Sequence, residues 1–461
     1  MDHHRRRRVP STTWGPYPHL IRNTVVRTVY GSMLESARSH RNYRLFFGGQ
    51  LISQTATWIQ RVAQMWFVLN VSHSGSALGV LIACQFAPYA IFGLCSGAMC
   101  DPLDKHRTLI VTQAIMMLCA GILTTLTFSG SLTVGEVDII AAIQGVTMVV
   151  DTPARQAFVI QTVGRDQRPH AIALNVNLYN ITHTLGPALG AVAIAGVGLK
   201  VGSLANALGF MTMLAGLLLM RTNELHRPEP RTGGEMRVGA ILRSTIEGLR
   251  LTWRTQQMMP IIVLVFVVAT LGLSFNVTLP LIAHNTLHGN PGILGVLFAC
   301  YGAGALVGAL YATTLDRVSH AVFLSACGLL GALELLLALQ ETVVGCAVIL
   351  VCIGAAFSCF TANASATLRL RMPEPIRTRM LSLYSYSWIG TAPLSGLLAG
   401  WLSDRGGPTL VFTVGGVAMA TLAAMAALGG QGRWRSATSR TSSNAQRRRA
   451  AHNASTARSS A

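Results

Sequence analysis

Hydropathy constrains this chain more than any other property: about twelve predominantly apolar stretches follow one another, six, then a basic loop, then six more. Each is roughly 20 residues long, the length an α-helix needs to cross about 30 Å of hydrocarbon at about 1.5 Å per residue. The stretches fall near 45–70, 77–100, 108–129, 136–154, 171–197, 201–220, 259–283, 292–315, 320–340, 342–366, 380–402 and 409–429. With 51% hydrophobic and 11% charged residues, the chain is too apolar for a soluble protein of this length. The expected class is an all-α integral membrane protein, with twelve transmembrane helices in two pseudo-symmetric six-helix bundles.

Charge sets the expected orientation. Residues 1–44 carry nine basic against two acidic side chains, 221–254 seven against four, and 431–461 seven against none, so these segments hold 17 of the formal +19. The positive-inside rule puts all three, and therefore both termini, in the cytoplasm of a multi-pass protein of the cell membrane. Lys105, Arg107, Arg165, Arg168, Arg317, Arg377 and Arg379 fall on the same side. The expected organisation is a basic tail (1–44), a first bundle (45–220), a cytoplasmic linker (221–258), a second bundle (259–430) and a basic disordered tail (431–461). No apolar core follows the basic run near the start, so no cleaved leader is expected. The basic arms suit anionic lipid headgroups, and nucleic acid is not an expected partner.

Nine cysteines lie in or beside apolar stretches without metal-ligand spacing, which reads as packing and neither a disulfide framework nor a metal site. No phosphate-binding loop is present in the sequence, so no nucleotide or other cofactor is expected.

An internal repeat marks duplication. Leu78-Gly79-Val80-Leu81-Ile82-Ala83-Cys84 recurs as Leu294-Gly295-Val296-Leu297-Phe298-Ala299-Cys300, each opening the second stretch of its half. Duplicated bundles place a binding site at their interface, near the bilayer midplane.

Polar residues inside spans are tolerated where they face protein or water, so their angular distribution locates a cavity. At 100° per residue, Gln50, Gln54, Thr57, Arg61 and Gln64 occupy a sector of about 80° on the first stretch. Gln144, Thr147, Asp151 and Arg155 do the same on the fourth, Thr270, Ser274 and Thr278 on the seventh, and Ser358, Thr361, Ser365 and Arg369 on the tenth. Arg61 either contacts substrate or counter-ion, or pairs with Asp138, or snorkels. Asp151 either pairs with Arg155 one turn on or carries a proton. Glu334, about two turns inside the ninth stretch, reads as structural or lipid-interfacial, with a proton-carrying role open for it and for Asp138. His183 reads as a packing histidine.

Three motifs carry a resemblance. Gly97-Ala-Met-Cys-Asp101-Pro-Leu-Asp104-Lys105-His106-Arg107 follows the second stretch, Leu185-Gly186-Pro187-Ala188-Leu189-Gly190 lies in the fifth, and Asp151-Thr-Pro153-Ala-Arg155-Gln156-Ala157-Phe158 ends the fourth. With Trp58-Ile-Gln60-Arg61-Val-Ala63-Gln64, these resemble the major facilitator superfamily over roughly residues 42–430. The Asp151–Phe158 and Trp58–Gln64 segments are similar to its bacterial exporter branch, which includes the enterobactin exporter and macrolide-efflux-like proteins. Pro102 stands where that signature loop has a basic residue, and Ala312 where the second half would have its aspartate.

The resemblance implies the major facilitator fold, whose first helix in each three-helix unit lines the cavity. It also implies a latch at Gly97, Asp101, Lys105, Arg107 and Arg155, and an antiporter-like motif at Gly186, Pro187 and Gly190. Independently, Lys105 and Arg107 also satisfy the positive-inside rule alone. Gly186-Pro187 removes a helix hydrogen bond and offers a flat face to the other half. The expected function is a monomeric secondary transporter exporting amphipathic small molecules by proton antiport. An importer, a facilitator or a non-transporting sensor are the alternatives.

Overall fold

The computed structural model describes residues 41–163, 168–226 and 259–459, except 273, 313, 315–319 and 372–383. The N-terminal tail up to residue 40, most of the linker, Arg165, Arg317, Arg377, Arg379 and the side chain of His183 lie outside the described residues.

The described residues are helical and contain no strand. In chain order the helices are α1 (Arg41–Ser72), α2 (Gly75–Phe92), α3 (Ser96–Cys100), α4 (Lys105–Ser129), α5 (Val134–Gln161) and α6 (Arg168–Leu218). After the linker come α7 (Met259–Leu271), α8 (Phe275–Leu281) with a π-helical turn Ile282–Thr286, α9 (Pro291–Ala312), α10 (His320–Leu337), α11 (Val343–Arg371) and α12 (Ala392–Ser459). Local chemistry explains several starts. Ser74 caps α2 by accepting from Ala77 N–H, Asp104 caps α4 through Arg107 N–H, and Thr133 with Glu136 forms a capping box on α5.

Among the described residues, seven stretches are long and apolar enough to cross a membrane, and Leu185–Gly196 and Val322–Leu337 are shorter apolar helices. The helices α1 and α5 are ample in length, at 32 and 28 residues, but fall outside that set. They carry the polar stripes of the first and fourth stretches, and those stripes lower their hydropathy.

Two long helices are really pairs of antiparallel arms. The helix α6 breaks at Gly198 (φ 76°, ψ 175°), and α12 breaks at Gly406 and Gly407 (φ 67°, ψ −177° at Gly407). A positive φ of this kind is open to glycine at no steric cost. The two breaks join the fifth to the sixth stretch and the eleventh to the twelfth, so the same turn recurs at equivalent places in the two halves. The segment 431–459, expected to be disordered, continues α12 as helix. Its Ala- and Arg-rich run contains no proline to stop it.

For orientation, the end carrying residues 73–75, 284–291 and 404–407 is called the outer end and that carrying 93–105 and 219–226 the inner end, after the charge-based expectation. A buried core runs across both halves at the outer end, joining Val62, Leu69, Leu78 and Ile82 to Val277, Leu281, Leu294 and Ala399. The inner end of the first half has a separate core of Tyr43, Phe46, Leu109, Phe158, Met213 and Leu217, to which residues 259–427 contribute nothing. Among the described residues the halves share an apolar core at the outer end, whereas toward the inner end the first half keeps its own core and meets the second through Tyr386, whose hydroxyl donates to Ala90 O.

Candidate functional site

The outer seal is made of two glycine seams, and the internal repeat supplies one side of each. A Cβ at Gly79 of α2 would lie 2.5 Å from the carbonyl oxygen of Gly396 in α12, and one at Gly75 would lie 2.8 Å from Ser403 Cβ. Gly400 likewise abuts the backbone of Gly75. The spacings Gly75-x-x-x-Gly79 and Gly396-x-x-x-Gly400 are a small-xxx-small signal that lets helices touch backbone to backbone. On the other seam, a Cβ at Gly295 of α9 would meet Ala191 Cβ at 3.1 Å and Val192 N at 3.2 Å. The repeat glycines Gly79 and Gly295 thus do the same work in opposite halves.

A carboxylate crosses the first seam. Asp404 Oδ1 accepts from Gly75 N–H at 2.6 Å, and Oδ2 accepts from Ser76 N–H and Ser74 Oγ, both at 3.0 Å. Asp404 thereby caps the N-terminus of a helix 328 residues away, where backbone donors and the helix dipole favour an anion. The guanidinium of the adjacent Arg405 lies over the Trp401 ring at 3.8 Å. Beside this cap, His284 packs edge-on against Trp66 (5.7 Å between centroids) and lies 5.8 Å from His73, a second contact between halves.

Asp404 lies in the turn beyond the spans, and its titration bears on the seal. Burial alone pushes its carboxyl up, but donors from Ser76, Gly75 and Ser74 outweigh this and hold it below the ordinary aspartate value. A value lowered in the sealed state means that the cap is fully effective above the unsealed value of about 4, and is lost as pH falls through the lower sealed value. The Asp404 cap is expected to be unaffected by pH between about 6 and 8 and to loosen only in acid. Removing the cap with Asp404→Ala costs about 0.5–2 kcal/mol, shifting the sealed fraction about 2- to 30-fold toward opening. Electron-resonance distances between labels at Ser131→Cys and Glu341→Cys in a cysteine-free background check this; an unchanged distribution defeats it.

The inner motifs are arranged differently. Lys105 Nζ donates to the carbonyls of Cys100, Leu103 and Asp101 at 2.6, 2.7 and 2.8 Å, closing the C-terminal end of α3. Asp101 and Arg107 are exposed, and Gly97 has open space where a Cβ would stand. The start of the eleventh stretch, residues 380–383, lies outside the described residues.

Asp151 and Arg155 are buried and paired. Arg155 Nη2 and Nε donate to Asp151 Oδ2 at 2.9 and 3.0 Å, while Thr112 Oγ1 and Gln113 Nε2 donate to Oδ1 at 2.7 and 2.9 Å. Both carboxylate oxygens are thus committed, and the pair ties α5 to α4.

The antiporter-like glycines pack within their own half. Gly186 abuts the Trp58 side chain, and a Cβ at Gly190 would lie 2.9 Å from Trp58 O and 3.1 Å from Ile59 Cα, both on α1. The flat face expected to meet the other half meets α1 instead, and the following Ala191 and Val192 make the crossing. Pro187 is buried between them.

The polar stripes divide into used and available groups. Gln50 donates to Asn175 Oδ1 at 2.9 Å and Thr57 to Ser53 O at 2.8 Å. Gln64 is buried with no hydrogen-bond partner at Nε2. The Arg61 guanidinium sits 5.0 Å from the Trp58 ring and 5.6 Å from Phe86, a cation over aromatic faces. Asp138 has a buried Oδ1 that no donor reaches. Gln144 and Thr147 are buried, Thr147 turning back to Ile143 O. Thr270, Ser274 and Thr278 are buried and bond carbonyls of their own span. Gln54, Ser358, Thr361 and Ser365 are half-buried.

An aromatic chain links the second half. Phe275 and Tyr301 lie 5.1 Å apart, Tyr301 and Phe357 6.3 Å, Phe357 and Trp388 5.5 Å, and Trp388 and Tyr384 5.8 Å. A separate apolar crevice of about 550 Å³ opens between α4 and the second arm of α6, lined by Met117, Leu118, Ile122 and Met211. It is remote in chemistry from the stripes.

Polar stripes inside paired helical halves that share their apolar core toward one end define a membrane transporter. The chain belongs to the transmembrane secretion effector family of the major facilitator superfamily, whose family model matches residues 36–456. It is 25% identical to the staphyloferrin A transporter of Staphylococcus aureus over 58% of this chain and 66% of that protein, just under two thirds of its length. It is 23% identical to the multidrug efflux pump Tap of Mycolicibacterium fortuitum over 75% of this chain and 85% of that one. The fold matches a crystal structure of a POT family transporter at a TM-score of 0.65, with 12% identity, covering 84% of this chain and 96% of that one.

Proposed function

We propose that this protein is an exporter of amphipathic small molecules, driven by proton antiport across the cell membrane, and not an enzyme. The observation that carries the reading is the one-sided core: shared between halves at the outer end and separate at the inner end. A compound entering from the inner side reaches the Arg61, Gln54 and Gln64 face of α1 and the Ser358, Thr361 and Ser365 face of α11. Release follows when the seams at Gly79 and Gly295 part and the inner ends close. The aromatic chain from Phe275 to Tyr384 offers polarisable surface that tolerates varied ligands. The relatives, a staphyloferrin A transporter and a multidrug efflux pump, support the same substrate class.

In this reading twelve crossings form two halves, 45–220 and 259–430, with both termini in the cytoplasm and a monomer as the working unit. Gly97, Asp101, Lys105 and Arg107 hold the inner end shut in the opposite conformation. Loss of 1–2 kcal/mol there shifts a two-state equilibrium by about 5- to 30-fold.

The test uses proteoliposomes with an imposed pH gradient and ethidium, a macrolide and an iron-free siderophore as probes. Gradient-dependent movement of at least one, abolished by a protonophore, is expected. Asp101→Asn is expected to slow turnover by about 5- to 30-fold with normal insertion. Movement indifferent to the gradient would replace antiport by facilitation, and none of any probe would reject this substrate class.

A further inference from the structure

The seventh span is broken beside a buried carboxylate. The helix α7 ends at Leu271 and α8 begins at Phe275, with Val277 and Thr278 N–H both turning back to Ser274 O at 2.8 and 2.9 Å. Broken helices inside a membrane leave carbonyls at the half-helix end, and such ends are where transported ions are held in other folds. Glu334 of α10 is 1% exposed, and its Oε2 is buried with no hydrogen-bond partner. Of the structural, lipid-interfacial and proton-carrying roles expected for Glu334, this burial removes the lipid-interfacial one: α10 turns the carboxylate inward against the seventh and twelfth stretches.

A notch at Gly415 admits the group. A Cβ placed there would lie 2.6 Å from Glu334 Oε2 and 3.3 Å from Leu271 O, so the two oxygens line one small space. Both are acceptors, and the second lies at the negative end of a half-helix. Leu271 O takes the Ser274 hydroxyl at 3.3 Å, whereas Glu334 Oε2 has no donor, and an ionised carboxylate with no partner in such a place costs several kcal/mol. A hydrogen on the carboxyl removes that penalty.

We infer that Glu334, the carbonyl end of α7 and the Gly415 notch form a proton-binding site, loaded in this outer-sealed state and discharged when the break in the seventh span rearranges. Tyr301 from α9 and Cys327 from α10 are the titratable groups that feel the Glu334 charge. The described residues of α7, of α8 and of the 408–427 arm bring no Asp, Glu, Lys or Arg. Tyr301 also touches Phe275, the first residue after the break, which joins the site to the aromatic chain along the transport path. The coupling role rests on the antiport reading above, whereas proton binding itself does not.

Infrared difference titration of the full chain in liposomes tests the site with the proton alone. Between about pH 5 and 10, the wild type is expected to lose a carboxylic-acid C=O band that Glu334→Gln lacks. Gly415→Ala keeps the carboxyl but crowds Oε2, and is expected to move the midpoint by about one pH unit or more. A titrating band that survives in Glu334→Gln, no such band in the wild type, or an unmoved midpoint in Gly415→Ala overturns the site. In proteoliposomes, Glu334→Gln is expected to lose tenfold or more of gradient-driven ethidium transport while keeping dye exchange. Full gradient-driven transport in that variant overturns the coupling role. A wild type that moves no probe counts against the export reading, and the infrared result then decides the site alone.

Discussion

Gly79→Val is expected to abolish net transport by preventing outer closure. The added Cβ would stand 2.5 Å from Gly396 O and 3.3 Å from Leu397 Cα, both backbone atoms that no rotamer change moves aside. Overpacking of a tight contact costs about 1–3 kcal/mol, which biases the outer end open by about 5- to 150-fold. Gly295→Ala is expected to be milder, because its nearest neighbours lie at 3.1 and 3.2 Å and the first is a side-chain methyl. Transport rate and the label distance across the outer end measure both. A Gly79→Val protein that seals and transports normally would show that this seam is not the moving contact.

Asp151→Ala is expected to destabilise the protein more than any other single change considered. It leaves the Arg155 guanidinium buried without its Nε and Nη2 acceptor, in a residue whose Nη1 already lacks a partner. Breaking a buried pair from one side costs about 3–5 kcal/mol, whereas removing both partners leaves no stranded charge. Thermal unfolding in detergent is therefore expected to fall sharply for Asp151→Ala and to recover in part for Asp151→Ala with Arg155→Ala. Asp151→Asn keeps an acceptor for Thr112 and Gln113 and should be intermediate. Wild-type stability in Asp151→Asn, together with loss of gradient-driven transport alone, would return Asp151 to the role of proton carrier.

The two readings of Asp151 show where sequence reasoning stops. Its i+4 relation to Arg155 is local and legible, because helical spacing alone brings those side chains together. The donors Thr112 and Gln113 come from a different helix, and their arrival is what occupies the second carboxylate oxygen. Gly186 and Gly190 tell the same story: their small size announced a close approach, but the neighbour, α1, depended on how the helices were arranged.

What the sequence by itself determined was everything that depends on local spacing along a helix. Apolar length, the polar stripes, the basic loops and the repeat around Gly79 and Gly295 needed no partner to be read, and they led to the transporter family. The tertiary structure alone decided which groups meet. Asp404 reaches a helix start 328 residues earlier, Glu334 turns inward against Gly415, and the repeat glycines close two seams on one side only. Those contacts depend on the packing of helices far apart in the chain, where a missing Cβ or a reachable backbone donor has no local signature.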